Sequence, residues 1–221
     1  MKVSEAVTRR TSVRAFLPDP VPEETIREVL ELARRAPSSS NTQPWHVAVL
    51  SGDARTGLTE AVLAEARAGR REDRELTHAG KDIDAVYYGR MVDCGKRLYA
   101  AAQIERHEKE RRFEFALRNW RFFDAPHVMF LSMPRCVGTA YIVDVGVLLQ
   151  TIMLLLTERG VASCPQGDLS SFPSITRRFA DIPPENLIVC GLSFGYADPG
   201  SPLNALDMPR AALDDFVSFS G

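Results

Sequence analysis

Apolar residues first fall into a clear rhythm at Ile26, Val29, Leu30 and Ala33, which share one face of a helix spanning 23–35. Pro22 suits the start of that helix. Glu23 and Glu24 favour the positive end of its dipole, and Arg34 and Arg35 the negative end. Pro37 and the Ser-Ser-Ser-Asn stretch stop it. The short apolar run 45–50 predicts a buried strand, and Ser51-Gly52-Asp53 turns the chain into another helix. Two further strands are predicted at 127–133 and 187–194. Between them, 139–159 reads as a long helix that is apolar on nearly every side, closed by Gly160. Such a helix belongs at the centre of a fold or in a subunit interface. Its apolar run, 143–156, includes Asp144 and Gln150 and is short for a membrane span.

The stretch 67–123 breaks this rhythm. Charged sequence without a clean period, 67–84, predicts mobile helix and loop, and 91–115 predicts a heavily charged helix. An aromatic cluster follows at Trp120, Phe122 and Phe123. Short strands alternating with longer helices predict an α+β or α/β protein with three-layer packing; α+β is the class expected. Residues 1–221 read as one domain with a helical insert at about 67–123.

Composition narrows the function. The 221 residues are enough for one sizeable core. A net charge of −2, with both signs interleaved, gives no electrostatic footprint for nucleic acid or an acidic membrane surface. Cys94, Cys136, Cys164 and Cys190 form no CxxC pair, and His46, His78, His107 and His127 are equally scattered, so no metal site is expected. The opening MKVSEAVTRR has no apolar core of a signal peptide, and a cytoplasmic protein is expected. No local motif supports a Ser-His-Asp or Cys-His nucleophile, and no side chain is assigned as a catalytic acid, base or nucleophile.

Three segments are suited to a planar ligand carrying phosphate. Arg10, Thr11, Ser12 and Arg14 combine forked guanidinium donors with hydroxyls, the donor set phosphate oxygens require. Pro37, Ser38, Ser39 and Asn41 stand in a loop rich in hydroxyls and amides, fit for edge-on hydrogen bonding to a heterocycle. Pro165, Gln166 and Gly167 follow the long helix, where glycine permits close backbone approach. Taken singly, the first is equally a solvated helix end, the second a polar loop and the third a tight turn.

Together they resemble the nitroreductase family of FMN enzymes over nearly the whole chain. R-R-T-S-V-R-A-F is similar to the family's opening signature and A-P-S-S-S-N-T-Q-P-W to its second. P-Q-G-D resembles the family's P-x-E-G loop, with Gln166 where an acidic residue is common. G-L-S-F-G-Y-A-D-P is similar to its last core strand. Y-Y-G-R-M, R-L-Y and N-W-R-F-F-D-A-P resemble the longer-lidded nitroaromatic reductases.

The resemblance implies a three-layer α/β/α sandwich with a central mixed sheet and an intertwined homodimer. It implies FMN as cofactor, NADH or NADPH as donor, and nitroaromatic or quinone-like acceptors reduced in turn at one slot. Arg10, Thr11, Ser12 and Arg14 would hold the phosphate, ribityl and pyrimidine side. Pro37, Ser38, Ser39 and Asn41 would reach flavin held largely by the other subunit. Pro165, Gln166 and Gly167 would lie along the ring and N5, and Arg210 would add a phosphate contact. A second basic residue usual near Asp207 or Met208 is missing. Tyr87, Tyr88 and Trp120 would form an aromatic lid over the acceptor, and the tail 213–219 would extend across the partner's sheet edge. A reductive dehalogenase, a flavin-consuming enzyme and a non-catalytic flavin-binding protein remain open on the same fold.

Overall fold

The computed structural model describes residues 1–70, 72–76 and 83–221. In chain order these form α1 (Val3–Arg9), α2 (Glu23–Ala33), β1 (His46–Ser51), α3 (Gly52–Arg67), α4 (Ala85–Ala101), α5 (Lys109–Leu117), β2 (His127–Pro134), α6 (Ile142–Glu158), β3 (Ala162–Gln166), α7 (Pro173–Thr176) and β4 (Asn186–Gly195). The strands lie in the order β1-β2-β4-β3 and pair antiparallel throughout. Among the described residues, the mixed character expected of the sheet is confined to one isolated parallel bridge, Ser12 to Ser163. Antiparallel pairing follows because the chain alternates direction across the sheet, with α3 and α6 placed over opposite faces.

Period-two alternation divides the core into two layers. Val128 and Phe130 of β2 face one cluster with Leu50, Leu58 and Phe172, whereas Met129, Leu131 and Met133 face the other with Val29, Leu148 and Ile152. A β-bulge leaves Val189 without a cross-strand partner between Cys190, opposite Leu131, and Ile188, opposite Ser132. Parity switches there, so Leu187 and Leu192 meet the same cluster although they are five positions apart.

The third strand, β3, stands where the sequence suggests only a ligand-binding turn. Its five residues include Pro165, which a central strand would not tolerate, but β3 is an edge strand of the sheet. The expected helix at 91–115 is two helices, since Gln103 adopts a left-handed φ of 54° between α4 and α5. The mobile segment expected at 67–84 falls partly outside the described residues. Within it, 72–76 is pinned to the body: Glu75 pairs with Arg135 and Arg177 and accepts from the Ile188 N–H, and the Asp73 N–H donates to Ser171 at 3.0 Å.

The apolar helix is also longer than its apolar run suggests. With its leading 3-10 turn it covers Thr139–Glu158, long and apolar enough by length and composition to cross a membrane. Val145, Leu148, Ile152 and Leu156 pack on the sheet, while Val143 on another face is 70% exposed. Its fold position is therefore that of a core helix with an open outer side.

Candidate functional site

Residues 10–17 leave α1 in extended form and run beside the sheet. The Val13 N–H donates to Ser163 at 3.1 Å and the Leu17 N–H to Tyr196 at 2.8 Å. Asn204 clamps this ribbon from the C-terminal side: its Oδ1 accepts from the Arg14 N–H at 2.8 Å, and its Nδ2 donates to Ala15 and Asp198. Arg118, from the end of the insert, donates to the Arg14 carbonyl at 3.1 Å. Held this way, Arg10, Thr11, Ser12 and Arg14 line a cavity of about 630 Å³ with Pro165, Asn204 and Arg210; Gln150 and Met153 of α6 complete one wall.

Arg10, Arg14 and Arg210 have no carboxylate ion-pair partner among the described residues. Arg14 donates to the Ser12 carbonyl at 3.1 Å and Arg210 to the Met208 carbonyl at 2.6 Å. Three guanidiniums around one concavity, two of them bonded only to main-chain oxygens, leave a local excess of positive charge. This is what a phosphate dianion needs, and the volume suits a cofactor of ordinary size. Asp207 lies on the same rim, so the position where a further basic residue is missing carries a negative charge instead.

Cys164 sits beneath the ribbon, fully buried. Burial pushes its thiol up to about 11 despite the opposing influence of Arg14, Ser12 and Arg10. It stays protonated near neutral pH and supplies no thiolate nucleophile.

The loop after α2 does not join this cavity. The Ser39 N–H donates to the buried Asp144 carboxylate at 3.1 Å, which fixes the loop against the first turn of α6. Gln150 and Met153 of the cavity lie two turns further on, roughly 9–14 Å along the axis at the α-helical rise. Pro37, Ser39 and Asn41 are exposed. Ser40, Asn41 and Gln43 all have left-handed φ, held by the bond from the Gln43 N–H to Ser38 Oγ at 2.9 Å and from Gln43 Nε2 to the Asn41 carbonyl at 2.9 Å. One chain therefore brings together Arg10, Thr11, Ser12, Arg14, Pro165 and Arg210, and leaves Pro37, Ser38, Ser39 and Asn41 apart.

Gln166 is buried, and its amide is spent inside the protein. Nε2 donates to the Asn119 carbonyl at 2.9 Å, and Oε1 accepts from the Ser193 hydroxyl. Gly167 opens a 3-10 turn, Gly167–Ser170, that lies on β4. Only glycine fits opposite it at position 191, where a Cβ would stand 2.3 Å from Leu169 Cδ1.

The aromatic residues of the insert do not form one set. Tyr87 and Tyr88 are 58% and 57% exposed on α4, none of whose residues is buried. Trp120 packs edge-on against Phe172 at 5.4 Å and donates its indole N–H to the Asp168 carbonyl at 3.2 Å. Phe122 and Phe123 are core residues. With Asp124 they take φ of 59°, 52° and 67°, a left-handed turn costing roughly 1–2 kcal/mol per residue that burial of both rings maintains.

Comparison with known proteins agrees with this architecture. A model of the nitroreductase family matches residues 7–196. The chain belongs to that family. A nitroreductase named NfnB from Mycolicibacterium smegmatis is 43% identical over 96% of this chain and 89% of its own length. A 4-nitrobenzoate reductase from Pseudomonas putida is 36% identical over 97% of this chain and 94% of its own. Among solved structures, an FMN- and NADPH-dependent nitroreductase NfnB from Sphigopyxis sp. strain HMH superposes with a TM-score of 0.96 at 34% identity, covering 100% of both chains. The FMN-dependent NfnB of Mycobacterium smegmatis, solved in complex with NADPH, gives a TM-score of 0.93 at 39% identity over 100% of both chains.

Sequence reasoning missed Asn204, Asn119 and Ser193, which hold the nitroreductase-like ribbon and loop in place. Each acts through a bond to a residue far away in the chain; Asn119 and Ser193 stand within N-W-R-F-F-D-A-P and G-L-S-F-G-Y-A-D-P, but nothing in those motifs points to Gln166 as their shared partner.

Proposed function

We propose that this chain is an FMN-dependent NAD(P)H oxidoreductase that reduces nitroaromatic or quinone-like acceptors. The observation that carries this is the gathering of Arg10, Thr11, Ser12, Arg14, Pro165 and Arg210 around one cavity with a net excess of positive charge. Bound there, FMN would supply hydride uptake and delivery at N5, the redox chemistry no side chain here performs. Arg10, Arg14 and Arg210 would hold the phosphate. Thr11 and Ser12 would fill its remaining donor positions, and the main chain at 165–167 would lie along the ring. The donor class is supported by a similar NADPH-dependent nitroreductase, and the acceptor class by relatives named for nitrobenzoate and nitrobenzene. These names favour nitroreduction over the dehalogenating, flavin-consuming and non-catalytic alternatives. Donor and acceptor would use the same open face of the ring in turn, a ping-pong cycle.

The site would be completed by a second chain. The exposed loop at Pro37–Asn41, the open outer side of α6 and the free edge of β1 all support a C2 homodimer. A groove of about 770 Å³ runs along β1 between α2 and Phe179. Phe216 and Phe219 of the tail are 70% and 86% exposed, apolar surface suited to a partner's groove. Four unpaired cysteines fit a reducing, cytoplasmic setting.

The test is optical. Purified protein should be yellow, bleach with NADPH or NADH, and recolour with a nitroaromatic. Colourless protein that takes up no FMN would overturn the proposal. Light scattering showing a monomer with flavin still bound would overturn the shared site.

A further inference from the structure

The side chain of Gln166 touches neither the cavity nor solvent, yet it joins three parts of the molecule. It is 4% exposed at the end of β3, where its residue pairs with Gly191 of β4. Nε2 reaches the Asn119 carbonyl at 2.9 Å and Asn119 Oδ1 at 3.3 Å, both on the segment that returns from the helical insert. Oε1 accepts from Ser193 on β4. Beside this, Trp120 donates to the Asp168 carbonyl and Arg74 pairs with the Asp168 carboxylate at 3.1 Å. The loop 165–168 is therefore tied to the end of the insert at two consecutive residues, Asn119 and Trp120, and to its beginning at Arg74.

The chemistry of the tie requires an amide. A main-chain carbonyl only accepts, so position 166 must donate toward Asn119; at the opposite end the Ser193 hydroxyl, able to donate or accept, donates to Oε1. An ionised carboxylate at position 166 would meet the Asn119 carbonyl with lone pair against lone pair in a buried site. A protonated carboxyl could satisfy both partners. Hence the amide at 166 and the carbonyl at 119 are matched to each other.

We infer that Gln166 is a positioning residue: through Asn119 its amide couples the helical insert to the end of β3, fixing the Gly167 N–H that would be presented to the flavin ring. This rests on the proposed cofactor site. The loop thereby has its geometry set by the same segment that carries the insert away from the sheet. Loosening it weakens donation to the reduced ring and lowers the flavin potential.

The experiment compares Gln166→Glu and Gln166→Met with the wild type. Midpoint potential of the FMN-loaded protein is measured at pH 5.5 and 8.5, and amide exchange at 165–168 in the FMN-free protein. The charged groups on the packed elements are Arg118, Arg121 and Asp124 at the end of the insert, paired among themselves, and Arg74 with Glu72 and Asp168 on the loop side. The partner strand contributes Ser193 and Gly191, without charge. All are common to the three proteins, as is the proton uptake that makes every flavin potential fall with pH, so a difference from wild type that changes with pH only in Gln166→Glu belongs to the new carboxyl.

Gln166→Met should exchange about tenfold faster and lower the potential by about 30 mV at both pH values, the two-electron equivalent of a tenfold change. Gln166→Glu should match it at pH 8.5 and return toward wild type at pH 5.5. Wild-type potential and exchange in Gln166→Met, or a Gln166→Glu defect equal at both pH values, would overturn the inference. If Gln166→Glu does not fold, Gln166→Met decides alone. A wild type that binds no FMN would overturn the cofactor site instead, and the exchange measurement would still judge the tie.

Discussion

The ribbon carrying Arg10 to Arg14 and the helix carrying Tyr87 and Tyr88 are attached to the fold in opposite ways. The ribbon is bonded through its main chain to β3, to residues 196–198, to Asn204 and to Arg118, so its guanidiniums start from a fixed backbone. Helix α4 has no buried residue. Arg90 lies over the Tyr87 ring at 5.9 Å, and the chief contact of the helix with the body is the turn at Pro202–Asn204. Between them lies Arg210, which lines both the basic cavity and a second cavity of about 600 Å³ bordered by Arg90 and Asp93. Holding an anion demands fixed charges, and one chain supplies them. Choosing a flat acceptor demands apolar surface that moves or meets a partner, and a single chain leaves it uncovered.

The sharpest way to break this contrast is to remove a fixed charge. Arg10→Ala and Arg210→Ala should each weaken FMN binding by about 1.5–3 kcal/mol, the value of a charge-assisted contact. Equilibrium dialysis reads the loss. Stoichiometric flavin retained by both variants would show that the cavity holds no phosphate.

The next largest effect tests how rigidly the loop beside the ribbon is seated. Gly191→Ala drives a Cβ into Leu169 and should cost about 1–3 kcal/mol of stability, as overpacking does. Thermal unfolding measures it, and an unchanged midpoint would mean that the turn at Gly167–Ser170 yields easily.

A smaller effect sharpens the contrast at the β1 edge. The Val21 N–H donates to His127 Nε2 at 2.9 Å, while Nδ1 meets Ser51 Oγ at 2.6 Å. Burial, with Arg55 nearby, lowers the imidazole below its ordinary 6.5. The folded state thus binds fewer protons than the unfolded chain in that range. Stability from this group is full above pH 6.5 and declines as pH falls below it. His127→Gln should flatten that part of the stability profile; an identical acid slope in both proteins would rule the group out.

The smallest effect on stability belongs to α4. Tyr87→Ala and Tyr88→Ala should change unfolding free energy by less than about 0.5 kcal/mol and leave FMN content unaltered. The KM or turnover of the nitroaromatic half-reaction should change in stopped-flow traces, while reduction by NAD(P)H stays nearly intact. Wild-type oxidation in both variants would make the helix scaffold.

Local pattern was enough for much of this molecule. The helix after Pro22, the strands near 46, 127 and 187 and the long apolar helix all declare themselves through spacing of apolar residues, because burial of one face is a property of neighbours in sequence. The donor-rich character of the R-R-T-S-V-R ribbon and of the Ser-rich loop was equally legible, since donor chemistry is written in consecutive residues, whereas P-Q-G-D, read as a turn, opens on the last two residues of β3. Pairing across distance was not. Nothing near Gln166 announces Asn119 or Ser193, nothing near Arg14 announces Asn204, and the aromatics at 120, 122 and 123 look alike in sequence. Their backbones separate them: the left-handed turn at 122–124 sends both phenylalanines into the core, while Trp120 is spent on Asp168. Likewise the edge position of β3 tolerates a proline that local pattern counts against a strand. Hydrophobic periodicity fixes which face of an element is buried. Which distant donor meets which acceptor, and which loop stays outside the cavity, depends on how the elements pack, and that is decided only when the whole chain closes on itself.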